Sequence, residues 1–242
     1  MKLPINGPSY KHSSIDVNNQ RCINLFPTSA GPEGRGEAVL IPTRGLSVLQ
    51  DYGINTIRCL GTVGQFTYVV AGASVYKLEI NYSTLVVTST LLGSMSSSTG
   101  TVYMASNFTQ VMWVDGSDGF IYDTGTTTFS QITDVDFPTA TQVKFLDNYF
   151  IVNDAATSRF YFSSLADGLI WDPLDVATAE SGTDNIVGLG VSKGELWVFG
   201  ETTTEIWYNA ANPTGAPFSA RDGLELQIGC GAPDSISELD DL

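Results

Sequence analysis

A strand–turn–strand unit that recurs about every 40 residues constrains this chain more than any other feature of its sequence. In Leu196–Asn209, LWVFGETTTEIWYN, the arms are Leu196–Phe199 and Glu205–Tyr208, and Gly200–Thr204 makes the turn between them. β-Branched and aromatic residues fill both arms, and glycine stands where a turn needs positive φ. The same shape appears in Tyr68–Leu78 (YVVAGASVYKL), Val111–Asp123 (VMWVDGSDGFIYD) and Tyr149–Ser163 (YFIVNDAATSRFYFS). All-strand repeats of this length predict an all-β fold built from β-propeller blades.

Each repeat reads as a four-stranded meander. The first holds Thr56–Leu60, Phe66–Ala71, Ser74–Ile80 and Leu85–Leu92, and the second holds Val102–Ser106, Val111–Asp115, Gly119–Asp123 and Thr128–Thr133. The third holds Gln142–Leu146, Tyr149–Asn153, Arg159–Ser163 and a less regular fourth element. The fourth holds Ile186–Val191, Leu196–Gly200, Glu205–Asn209 and Leu224–Ile228. Short hairpin turns at Thr62–Gln65, Asn107–Gln110, Asp147–Asn148 and Ser192–Glu195 join the first two strands of each. One helical turn is expected at Asp172–Ser181, where Asp172 would cap and Pro173 would take the first helical position.

Around the repeats, residues 1–37 read as an arm and loop, 38–230 as blades, and 231–242 as the entry to another blade or a tail. Ala38–Leu49 holds two short apolar runs broken at Pro42 and Gly45. Two arrangements fit this layout. Four blades close on themselves, with Ala38–Leu49 adding a strand to the last, or the chain forms the front of a larger propeller.

Composition narrows the chemistry. The 26 acids against 11 bases give a net charge of −15, which opposes a phosphate-gripping surface. An acidic wall would instead repel DNA and let it slide past, although acids also simply solubilise a large β surface. Cys22, Cys59 and Cys230 are widely spaced, and His12 is the single histidine, so neither a zinc site nor a disulfide framework is expected. No apolar run reaches the roughly 18 residues of a membrane span. The first residues lack the apolar segment of a secretion signal, which implies synthesis in a cytosol.

The order of several blocks resembles a known family. Arg21–Pro27 (RCINLFP) is followed by Ile41–Leu46 (IPTRGL), then Arg159–Ser163, Asp167–Asp172 (DGLIWD), Ala179–Ser181 and Asp184–Leu189 (DNIVGL). Glu195–Glu201 (ELWVFGE), Thr204–Trp207, Pro217–Phe218 and Ile228–Cys230 complete the set. Together they resemble the packaged-DNA stabilisation proteins of short-tailed phages, the tail-hub or nozzle proteins. The resemblance implies propellers that assemble as a homo-oligomeric ring, typically of six copies. Such a ring lies in the virion tail, below the portal and its adaptor ring. It continues the DNA channel, retains packaged DNA until ejection, and carries the tail needle, fibres or spikes. It implies no membrane partner, no cofactor and no catalysis, and a chain longer than this one. Two other readings remain open on the residues themselves: a propeller binding module, such as a lectin or scaffold, and a sialidase-like hydrolase.

The individual motifs are weaker. Ser164–Trp171 approximates the sialidase Asp box, with its Asp one position late. The arginines Arg21, Arg35, Arg44, Arg58, Arg159 and Arg221 show no spacing that would gather a carboxylate-binding triad. Asp115–Gly119 (DGSDG) resembles half of a calcium loop but lacks the later acids, so a hairpin turn is expected there. The pairs Glu180/Asp184 and Glu201/Glu205 are carboxylates of the sort hydrolases use, here expected to face water. Asn81–Ser83 and Asn107–Thr109 match glycosylation sequons by chance. Trp113, Trp171, Trp197 and Trp207 are expected to pack between blades instead of forming a carbohydrate platform. No catalytic, metal or cofactor-binding residue is assigned.

Overall fold

The computed structural model describes residues 10–11, 19–20, 23–29, 38–53, 55–180, 182–212 and 215–237. The chain divides into two compact units, residues 1–49 and 50–242. In the first unit, β1 (Tyr10–Lys11) pairs antiparallel with β2 (Asn19–Gln20), and β3 (Leu25–Ser29) pairs with β4 (Ala38–Pro42). Thr43 N–H donates to the Asn24 carbonyl at 2.9 Å just beyond that hairpin.

The second unit contains four four-stranded antiparallel meanders in chain order. The first is β5 (Ile57–Val63), β6 (Phe66–Ala71), β7 (Ser74–Asn81) and β8 (Val86–Ser94). The second is β9 (Tyr103–Ser106), β10 (Gln110–Val114), β11 (Gly119–Asp123) and β12 (Thr128–Gln131). The third is β13 (Val143–Leu146), β14 (Tyr149–Asn153), β15 (Arg159–Ser164) and β16 (Asp167–Thr178). The fourth is β17 (Ile186–Ser192), β18 (Glu195–Gly200), β19 (Thr204–Asn209) and β20 (Phe218–Ala220). The first strands of successive sheets lie against one another, β5 on β9, β9 on β13 and β13 on β17, and so form the inner edge. β8 and β12 are mostly exposed and form the rim.

Side chains alternate across each pleat, so each inner sheet carries two apolar faces. Tyr68, Val70 and Val75 of the first sheet meet Val111, Trp113, Phe120 and Tyr122 of the second. Met112, Val114 and Ile121 on the other face of the second meet Val143, Phe150, Val152 and Trp171 of the third. Ile151, Phe160 and Phe162 of the third meet Leu189, Leu196, Val198 and Trp207 of the fourth. No such core joins the fourth sheet to the first among the described residues. The four blades therefore form an open series. Tyr149 packs edge-on to Phe162, with centroids 6.4 Å apart, and Phe162 stacks on Phe218 at 5.0 Å.

Two expectations are overturned. Asp172–Ser181 is not a helical turn, because β16 runs through Asp167–Thr178. The capping chemistry is real, since Asp172 Oδ1 accepts the Leu174 N–H at 2.8 Å, but a bulge uses it. Register passes from Ser163↔Trp171 to Tyr161↔Val176, which loops out the segment holding Pro173 on an edge strand that tolerates a missing donor. The fourth strand of the last blade is Phe218–Ala220, not Leu224–Ile228. Phe218 buries itself in the core between third and fourth blades, whereas Leu224 and Ile228 remain exposed. The expected segment keeps one bridge, Leu226 to Thr204. Among the described residues the helical element is a 3-10 turn at Pro233–Ser235, and no helix is long and apolar enough to cross a membrane.

Candidate functional site

Three of the polar residues buried in this structure, Arg58, Gln110 and Gln142, tie blades together. Arg58, on β5, spends all five of its N–H donors on the linker between first and second blades and on the β6–β7 turn. Its Nε donates to Gly100 O at 2.7 Å. Nη1 reaches Gly72 O at 3.0 Å and Ser97 O at 2.8 Å, and Nη2 reaches Ser97 Oγ at 2.8 Å and Thr99 O at 2.6 Å. Ser97 Oγ in turn donates to Asp115 Oδ2 on the second blade. Gln110 Oε1 accepts the Gly168 N–H at 2.9 Å, which ties the second blade to the third, and its Nε2 donates to Asp167 Oδ1 at 3.1 Å. Gln142 Oε1 accepts the Leu189 N–H at 2.7 Å and ties the third blade to the fourth. Gln142 is itself positioned by Asn153, whose Oδ1 accepts its N–H at 2.7 Å. Each inter-blade junction thus carries one polar clasp beside its apolar core. Sequence reasoning missed these residues. The signal available was a long polar side chain at the edge of an apolar strand, which must find partners once buried.

The suspected motifs resolve into turns. Asp115 Oδ1 accepts the N–H groups of Ser117 at 3.0 Å and Asp118 at 2.9 Å, so DGSDG is the expected hairpin turn. No group of three or more metal-ligating side chains exists among the described residues. Asn81 and Asn107 are turn-formers too, Asn107 Oδ1 accepting the N–H groups of Thr109 at 3.0 Å and Gln110 at 2.6 Å. Asp184 caps the β18–β19 turn, where its carboxylate accepts from the N–H and hydroxyl groups of both Thr202 and Thr203 at 2.6 to 3.0 Å. Burial alone would raise this carboxyl, but those four bonds prevail and bring it down to about 2. Glu205 is buried and accepts the Trp207 indole N–H at 2.8 Å. Asp184 and Glu205, one from each pair, are thus bonded within the fold, to a turn and to an indole.

The Asp-box segment is the β15–β16 turn, closed by Leu169 N–H to Asp167 Oδ1 at 3.0 Å and by Trp171 Nε1–H to Gly168 O at 2.8 Å. Arg58, Arg159 and Arg221 are committed to separate partners: the linker, Asp154 at 2.6 Å, and Glu195. Arg21 and Arg35 lie outside the described residues. Trp113, Trp171 and Trp207 are buried in cores between blades, as expected. Trp197 is not. It is half-buried on the outer face of the fourth sheet, offset-stacked with Phe199 at 6.3 Å. Burial pushes the Cys59 thiol up to about 11, and Cys22 and His12 lie outside the described residues.

The inner edge carries an acid from the C-terminal segment, Asp234, whose carboxylate accepts the Tyr103 hydroxyl of β9. β5, β9, β13 and β17 contain no Asp or Glu, and their charged residues are Arg58 and Lys144. Acidic residues lie instead on turns, linkers and the later strands of each blade.

Four meanders packed face to face, with inner strands gathered and rim strands exposed, define an all-β protein of the β-propeller class. The chain belongs to the phage stabilisation family described as Bacteriophage P22 Gp10, beta-propeller, which matches residues 1–242. That membership makes it a phage structural protein and a virion component. No curated protein matches the sequence. Among solved structures it is similar to PorZ, a surface component of the type-IX secretion system of Porphyromonas gingivalis, at 12% identity and a TM-score of 0.45, over 72% of this chain and 21% of that one. It is also similar to the computationally designed Ika8 at 15% identity and 0.48, over 78% and 56%. Kluyvelomyces marxianus Hsv2 follows at 10% identity and 0.47, over 66% and 50%. The chain therefore spans about a fifth to just over half the length of these proteins.

Proposed function

We propose that this chain is a building block of the phage tail hub or nozzle and acts by assembly, not catalysis. Copies side by side form a ring that continues the DNA channel below the portal and adaptor and retains packaged DNA. The tail needle, fibres or spikes attach to the same ring. The observation that carries this reading is the family match over residues 1–242. The clasped, close-packed blades support it, since a channel wall under pressure must resist deformation, and Arg58, Gln110 and Gln142 tie successive blades together. Phage particles assembled without this protein should package DNA and then lose it, read as DNase-accessible genome in the purified heads. Particles lacking the protein that keep their DNA protected would refute the reading.

A further inference from the structure

The four sheets do not end alike at the rim. Propellers ordinarily leave only short, protected edges there. β12 has four residues and β20 three, too few to template a long partner. β16 is long, but Pro173 removes a donor, two register shifts bend it, and Asp167, Asp172 and Asp175 put charge along it. β8 lacks these protections. It runs nine residues, Val86–Ser94, with no charge and no proline. Its register shift falls beyond Leu91, so Val86–Leu91 is an unbroken ladder on β7.

β8 is the last strand of its sheet. Every second residue of Val86–Leu91 bonds to β7, and the residues between turn their N–H and C=O groups outward. No described residue bonds to those outward groups. Val86 and Leu91 are 60% and 57% exposed. A rim edge also stays open however many blades a propeller has, because further blades cover the faces of sheets and not their outer strands.

The side chains select the occupant. Thr88 and Thr90 lie on one face, in the rows of Glu79 and Lys77, which pair with each other at 3.1 Å. Val87, Ser89 and Leu91 lie on the other face. Threonine pairs well with threonine or serine across a ladder, and apolar positions with β-branched or aromatic neighbours. The chain's net charge of −15 repels acidic segments, another copy of this chain included.

We propose that β8 takes an extended, neutral-to-basic segment of a different protein as a further strand on the first sheet, one in which threonine or serine alternates with β-branched apolar residues. Main-chain bonds supply the affinity, and the alternation fixes the register. The assignment rests on the sheet edge alone and does not depend on a location in the tail.

The test is residue-resolved amide exchange of the full chain, alone and with a short synthetic peptide that alternates threonine and valine between terminal lysines. Alone, the outward amides of Val86–Leu91 should exchange as fast as those of exposed loops. With the peptide at millimolar concentration they should slow about 10-fold or more, while the alternate amides bonded to β7 and the amides of β12 and β20 stay as they were. That alternating signature separates strand addition from an apolar contact. The same peptide with glutamate ends should protect less at low salt, and one with proline at its centre should not protect. Outward amides already slow in the chain alone would overturn the proposal, because the edge would then be occupied. Slowing that rises with the concentration of the chain itself, without peptide, would overturn it in favour of a second copy. No slowing with the lysine-ended peptide, or equal slowing with the glutamate-ended one, would overturn it as well.

Discussion

Replacing Arg58 by methionine keeps the aliphatic stem and removes five donors at once. The residue is 8% exposed, and its bond to the Gly72 carbonyl is fully buried. Leaving that carbonyl without a partner costs about 1–3 kcal/mol. The acceptors on Ser97, Thr99 and Gly100 are partly buried, so water replaces much of what they lose. At roughly 0.5 kcal/mol each they add about 2 kcal/mol, for a total of about 3–5 kcal/mol. In a unit of this size each kcal/mol lowers Tm by about 2–4 °C, so the expected fall is on the order of 10 °C. Lysine should recover only part of it, because three donors on one nitrogen cannot span carbonyls that a planar fork reaches together. Thermal melts followed by circular dichroism measure the shift. Limited proteolysis should also show new cleavage between residues 95 and 102, the linker that Arg58 holds. A Tm within about 3 °C of wild type, with the linker still protected, would refute the idea that the clasp carries the first junction.

Three other perturbations probe separate parts of the fold. Asp184 has its folded pKa depressed to about 2, so its stabilising effect is full above its unfolded value of about 3.9 and disappears as pH falls towards 2. Asp184→Asn should accordingly flatten the acid limb of a stability-versus-pH curve, with a cost at neutral pH of about 1 kcal/mol given the solvent around the turn. Trp113→Ala, which empties a fully buried site, should cost about 3–5 kcal/mol in urea unfolding, whereas half-buried Trp197→Ala should cost the monomer only about 1–2 kcal/mol. Cys59, its thiol raised to about 11, should label with a thiol reagent at pH 8 far more slowly than a free thiol; a Cys22→Ser/Cys230→Ser chain isolates it, and fast labelling would show that the first junction opens.

Most strands were legible because alternation and turn chemistry are local. Phe66–Ala71, Gly119–Asp123 and Tyr149–Asn153 occur as read, and the Asp and Asn turn residues make the bonds their types predict. The failures are non-local. Asp172-Pro173 offers the same cap to a helix and to a bulge, and only pairing with β15 decides between them. Leu224–Ile228 has the pattern of a strand, but Phe218 wins the edge of β19 because it reaches the core beneath Trp207. Trp197 and Trp113 occupy similar strands, and alternation tells which face each takes without telling whether another sheet covers that face. The clasps of Arg58, Gln110 and Gln142 were invisible for the same reason, since their partners lie 39 to 58 residues away or across a hairpin.

The placement of charge limits how the acidic composition can serve a DNA channel. The inner strands β5, β9, β13 and β17 contain Arg58 and Lys144 and no acid, while Asp234 lies against β9 through the Tyr103 hydroxyl, so the inner edge carries charge of both signs. Exposed charges act over about 8 Å at physiological salt, so acids on outer turns repel DNA only if those turns face it directly. Carboxylates on turns such as Asp118, Asp123 and Asp147 therefore bear on DNA passage only where those turns line the lumen. Within the proposed tail ring, acidic turns would keep DNA sliding past wherever they line the lumen.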